Sequence, residues 1–176
     1  MGSPTDGEYL LQTMRICVDE VFDKMVTGFR GAAVTAVHPI QSRENGVIKY
    51  SDKKSGSCSD ELYEEAVIPF TGDVCGQVVL RCSGSGAKSI ARGLLMMDES
   101  EALGLSDVRD ALGECANMLA GALKSKALDP NGSFRLGLPE FGSPGPAGAS
   151  GGALVYRVAE DSMSVEVWCC DTRRQP

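Results

Sequence analysis

One histidine and no Cys-x-x-Cys pair stand in a chain of 176 residues that nevertheless carries seven cysteines. Zinc sites draw on Cys and His at short, regular spacings. With His38 alone to help them, Cys17, Cys58, Cys75, Cys82, Cys115, Cys169 and Cys170 read as reduced thiols, mostly small core residues, and no metal is expected in this chain. Long apolar runs are missing too: nowhere do about 18 apolar residues follow one another, as a membrane-spanning helix requires. The opening MGSPTDGEYLL has neither the basic stretch nor the apolar run of a secretory leader, so a soluble cytoplasmic protein is expected. Finally, there is no excess of cations. Against 24 Asp and Glu stand 17 Lys and Arg, a net charge of −7, which argues against sequence-independent binding of nucleic acid or of an anionic membrane.

What is present is an ordinary globular balance, 43% hydrophobic and 23% charged, which suits a single domain over residues 1–176. Its pattern is mixed α and β. Thr5 and Glu8 have the spacing of a capping box, and Leu10, Met14, Cys17, Val21 and Met25 then recur at helical steps toward Gly28. The runs AAVTAVHPI and GVIKY, separated by a polar turn, precede a charged loop, SDKKSGSCSDE. In EAVIPFTGDVCGQVVLRC two β-branched apolar runs join at TGD, which predicts a hairpin. GAKSIARGLLMM predicts a short helix, and Ser106 is expected to cap a long one with Asp107 in its first turn. Turn chemistry at Asp129-Pro130-Asn131-Gly132 ends that helix. Residues 140–152 are rich in Gly, Pro, Ala and Ser and read as a flexible loop, and ALVYRVAEDSMSVEVWCC reads as a last hairpin that must pair with the earlier strands. The terminal DTRRQP is expected to fray.

Two motifs carry no chemistry. SGSGAKS resembles a phosphate loop, but Ala87 separates Gly86 from Lys88, where a Walker A loop needs Gly-Lys-Ser/Thr in succession. His38 precedes Pro39 at the end of a strand, and no nucleophile can be assigned to it.

The informative stretch is DALGECANMLAGALKSKALD, from Asp110 to Asp129. At about 100° per residue, Asp110, Glu114, Asn117 and Gly121 form one stripe, and Val108, Leu112, Cys115, Leu119 and Ala122 another on the opposite side. The first is expected to face outward and the second the core. A solvated face would explain the acids. It does not explain Asn117, which costs a helix several tenths of a kcal/mol relative to alanine, or Gly113 and Gly121, at about 1 kcal/mol each. Together with Ala116 and Ala120 the glycines are expected to clear the helix side next to Asn117, so that another protein's backbone can approach a carboxylate and an amide three residues apart.

These residues resemble the signature of the CheC/CheX family of chemotaxis phosphatases: Asp or Ser, three residues, Glu, two residues, Asn, and a downstream Pro. Asp110, Glu114 and Asn117 match it, with Pro139 in RLGLPEF as the proline. IPFTGDVCGQVVL and AKSIARGLL are similar to the family's hairpin and following helix. The first helix offers only Glu20 and Asp23 without an asparagine, so one motif per chain resembles CheX. The resemblance implies an α+β fold, an antiparallel-rich sheet packed against long helices, and a homodimer joined sheet edge to edge. It also implies hydrolysis of the aspartyl phosphate on a CheY-like response-regulator receiver that holds its own Mg²⁺, this chain binding no cofactor. Asn117 would orient water, Glu114 would dock to the receiver's active-site lysine, and Asp110 would be a support or rim contact. A non-catalytic adaptor for a receiver or flagellar-switch protein, using the same face, is the alternative; a purely structural dimer is the third.

Overall fold

The structure is a computed structural model that describes residues 7–25, 33–44, 47–50, 63–72, 75–129, 132–142, 150–158 and 161–170. Along the chain run α1 (Gly7–Met25), β1 (Ala33–Glu44), β2 (Val47–Tyr50), β3 (Tyr63–Thr71), β4 (Cys75–Ser83), α2 (Gly84–Leu95), α3 (Leu105–Leu123), a π-helical turn (Lys124–Leu128), β5 (Arg135–Leu136), β6 (Glu140–Phe141), β7 (Ser150–Val158) and β8 (Asp161–Cys170). Thr5, Gly28, the charged loop with Cys58, and the terminal DTRRQP lie outside the described residues.

The strands form one sheet in the order β2-β1-β7-β8-β4-β3-β5, with β6 also on β3, and every pairing is antiparallel. The late hairpin β7–β8 thus enters the middle of the sheet, between β1 and β4. Residues of even number in β3 and β4, Ala66, Ile68, Phe70, Val78, Leu80 and Cys82, join one core with all three helices, as a strand period of two requires. Met14, Cys17, Val18, Val21 and Phe22 are the contribution of α1, and Ala87, Ile90 and Ala91 that of α2. Helices over one face of an antiparallel sheet make this an α+β fold. Burial holds two of the core thiols protonated: Cys17 is pushed up to about 11, and Cys115 is driven higher still, with Cys82 and Glu114 adding to the effect of desolvation.

Several local expectations are corrected. Helix α3 starts earlier than Ser106: Gly104 is its N-cap, and Asp107 Oδ2 accepts from the Gly104 N–H at 2.9 Å, half of a capping box that a glycine cannot complete. Ser106 lies one residue inside the helix. The segment read as loop over residues 140–152 is narrower, because Glu140 and Phe141 pair with β3 and Ser150 to Gly152 begin β7. Residues 143–149 lie outside the described residues. Short strands such as β5 and β6 leave no periodicity to read, since two residues cannot alternate.

Candidate functional site

Helix α3 is held at both ends before it presents anything. Ahead of it, Arg92 at the end of α2 donates through Nη2 to the carbonyls of Glu99 at 3.2 Å and Glu101 at 3.1 Å, which fixes the loop between the two helices. Behind it, Asp129 accepts from the Phe134 N–H at 3.1 Å and pairs with Lys124 Nζ at 3.5 Å. Desolvation alone would raise the Asp129 carboxyl, but the hydrogen bonds from the Phe134 and Ser133 backbone and the Lys124 ammonium outweigh it and hold the carboxyl below its ordinary value. Between these anchors Val108, Ala111, Leu112, Cys115, Ala116, Leu119, Ala120 and Leu123 are buried. Leucine and alanine favour this helix, and the apolar arc fixes its rotation about its own axis.

With that rotation set, Asp110 and Glu114 are exposed and Asn117 is half-buried. One turn separates the carboxylate of Glu114 from the amide of Asn117, about 4.5 Å along the axis at 1.5 Å per residue. Among the described residues, none donates to or accepts from the side chains of Asp110, Glu114 or Asn117. The hydrogen-bonding capacity of these three side chains is thus unused among the described residues. Gly121, half-buried, continues the stripe, and a Cβ built there meets nothing within 4 Å.

The expectation of a bare helix side around Asn117 needs correction in part. Ala116 and Ala120 are wholly buried in the core and clear no surface. Gly113 is buried too, and a Cβ there would meet Pro139 Cβ at 3.2 Å and the tip of Phe141 at 3.4 Å. The absent side chain at 113 thus admits this chain's own proline loop. Only Gly121 keeps the clearance that the sequence pattern suggested.

Pro139 is brought there by a bulge. Leu136 and Arg135 pair with Phe70 and Thr71, and Phe141 and Glu140 pair with Ala66 and Val67. Three residues, Gly137, Leu138 and Pro139, therefore oppose two, Ile68 and Pro69. Pro69 has no N–H to give, and its carbonyl accepts instead from the Gly137 N–H at 2.7 Å. Arg109 stands over the Phe141 ring at 6.0 Å and closes the flank. The structure thus brings Asp110, Gly113, Glu114, Asn117 and Pro139 to one place. Leu138, which no sequence signal marked, is carried beside them with 83% of its surface exposed.

Among the described residues, no three His, Cys, Asp or Glu side chains converge as a metal site would need, and no helix is long and apolar enough to cross a membrane. The groups presented are an amide, carboxylates and a proline.

No protein of curated function matches this chain by sequence. Among solved structures, the chemotaxis protein CheX of Desulfovibrio desulfuricans is similar over 92% of this chain and 99% of its own, with a TM-score of 0.66 at 13% identity. A CheC-like superfamily protein of a Shewanella species aligns over 97% and 99%, with a TM-score of 0.67 at 12% identity. The CheX–CheY–BeF3–Mg²⁺ complex of Borrelia burgdorferi aligns over 91% and 97%, with a TM-score of 0.63 at 12% identity. At such identities the likeness is one of fold. The sequence itself matches the family model for the chemotaxis phosphatase CheX over residues 65–148, the span that holds the β3–β4 hairpin, α2, the whole α3 stripe and the proline bulge. Residues 65–148 thus match the CheX family in sequence, and the chain shares the fold of CheX and CheC-like proteins.

Proposed function

We propose that this chain is a CheX-like phosphatase that hydrolyses the aspartyl phosphate of a CheY-like receiver. One observation carries the reading: on the solvent side of α3, Glu114 and Asn117 stand one turn apart with no partner among the described residues. The match to the chemotaxis phosphatase CheX family model supports the activity, and the Borrelia burgdorferi CheX–CheY complex supports the class of partner.

The chemistry asks little of the helper. An acyl phosphate is already activated, and the receiver's own Mg²⁺ balances charge on the phosphoryl oxygens. Water must reach phosphorus in line with the aspartyl oxygen. The P–O bond to water then forms as the bond to the aspartate breaks, releasing inorganic phosphate and a free carboxylate. Asn117 suits that task because its Oδ1 can accept from the water while its Nδ2 donates to a phosphoryl oxygen, with no proton to lose at any working pH. Glu114 sets the register by an ion pair with the receiver's active-site lysine. Asp110 stands one turn earlier, as a support or rim contact. The setting is chemotaxis or a related two-component system in the cytoplasm, with the chain as a homodimer.

Phosphate release from a phosphorylated CheY-like receiver tests the proposal. Stoichiometric addition of this chain should accelerate release well beyond the receiver's own rate. Binding without acceleration would make the chain an adaptor, and neither binding nor acceleration would leave the stripe a solvated face.

A further inference from the structure

We propose that Leu138 is the apolar anchor that grips the receiver beside Asn117, a residue that sets affinity and leaves the water-attack step untouched; this rests on the reading of the site as a receiver phosphatase. A single exposed leucine is ordinary on any surface. The construction beneath this one is not. On one side, Gly137 lies so close to Pro69 that a Cβ would stand 2.7 Å from the proline Cγ, and its N–H is spent on the Pro69 carbonyl at 2.7 Å. On the other side, Pro139 sits on Gly113, where a Cβ would come within 3.2 Å of it. Beyond both, β5 and β6 tie the ends of the bulge to β3. Two glycines and two prolines thus lock a three-residue bulge whose middle side chain is 83% exposed.

Position completes the argument. Pro139 touches the helix at Gly113, four residues before Asn117, and Leu138 is the next residue along the chain, about 3.8 Å from it between Cα atoms. A receiver seated on Glu114 and Asn117 covers this flank. The occupant is set by continuity with the site: polar groups that fix register, and an apolar side chain on an ordered bulge at their edge. Because the bulge is already ordered, covering Leu138 gains apolar burial without a loop to immobilise, the condition under which one side chain contributes most to binding.

The test uses the full chain and a CheY-like receiver loaded with beryllium fluoride and Mg²⁺. Leu138→Ala should weaken equilibrium binding by about tenfold or more, the scale set by withdrawing one leucine from water. Leu138→Met, which keeps the volume, should restore most of the affinity. The single-turnover dephosphorylation rate at saturating chain should stay within about twofold of the parent, and the melting temperature should barely move, because 83% of the residue's surface is exposed. Unchanged affinity in Leu138→Ala overturns the anchor, and so does a fall in the saturating rate at constant affinity or a loss of binding that tracks a lowered melting temperature. If the parent neither binds nor dephosphorylates the receiver, the phosphatase reading falls and takes the anchor with it. An active parent indifferent to Leu138→Ala removes the anchor alone.

Discussion

Asn117 is a poor helix residue placed where the rest of α3 favours a helix, and its amide has no partner among the described residues. Glu114 is fully on the solvent side and makes no ion pair with a described residue. The two differ in what a partner asks of each. If Glu114 pairs with a receiver lysine in the complex itself, Glu114→Ala should weaken association by about 1.5 to 3 kcal/mol, the range of a charge-assisted hydrogen bond, while circular dichroism and melting stay those of the parent. Titration calorimetry with a beryllium fluoride-loaded receiver reads this directly; equal affinity of variant and parent would remove the docking role. The residue scale is also where the sequence was most legible. Asp110, Glu114 and Asn117 could be placed on one stripe because a helical period fixes angles to within a few tens of degrees, and the buried Leu112, Cys115 and Leu119 opposite them agree.

Elements explain what single positions could not. Gly113 and Gly121 look equivalent in the sequence, yet one is filled by Pro139 and the other is open. Gly121→Ala should therefore stabilise the chain by up to about 1 kcal/mol, the gain in helix propensity, yet weaken receiver association by intruding on the stripe. Gly113→Ala, whose new methyl meets a proline ring at 3.2 Å, should return little or none of that gain. Chemical denaturation of both variants tests the contrast, and equal stabilisation would mean that the bulge does not bear on α3. The far end of the helix responds to pH. Since the Asp129 carboxyl is held below its ordinary 3.8, the stability it contributes is present above that value and is lost as pH falls through the lower folded value. Asp129→Asn should accordingly cost stability at neutral pH and show a shallower loss in acid than the parent; parallel acid curves would contradict the assigned contacts. The β3–β4 hairpin, α2 and the β7–β8 hairpin could be read from runs and turn residues. The bulge could not, because it arises from tertiary pairing of three residues against two, and the true N-cap was hidden because a glycine cap gives no side-chain signal.

At the scale of the whole molecule, sheet edges and site lie in one plan. One edge is finished by β5 and β6, two-residue strands interrupted by the bulge, which blunts it against further pairing and at the same time sets Pro139 beside α3. The other edge is β2, four residues long. Light scattering at micromolar concentration should give a dimer near twice the 18.6 kDa chain mass, as an edge-to-edge assembly requires; a monomer alone would contradict it. The account as a whole rests on one amide, and the rate of phosphate release under single-turnover conditions, measured for the parent and for Asn117→Ala with a saturating phosphorylated receiver, tests it most directly. The prediction is a loss of about 100-fold or more in rate, the size of losing one positioned polar group, with receiver affinity and stability nearly unchanged. Full activity in Asn117→Ala, or a loss explained entirely by failure to bind, would contradict the water-positioning role.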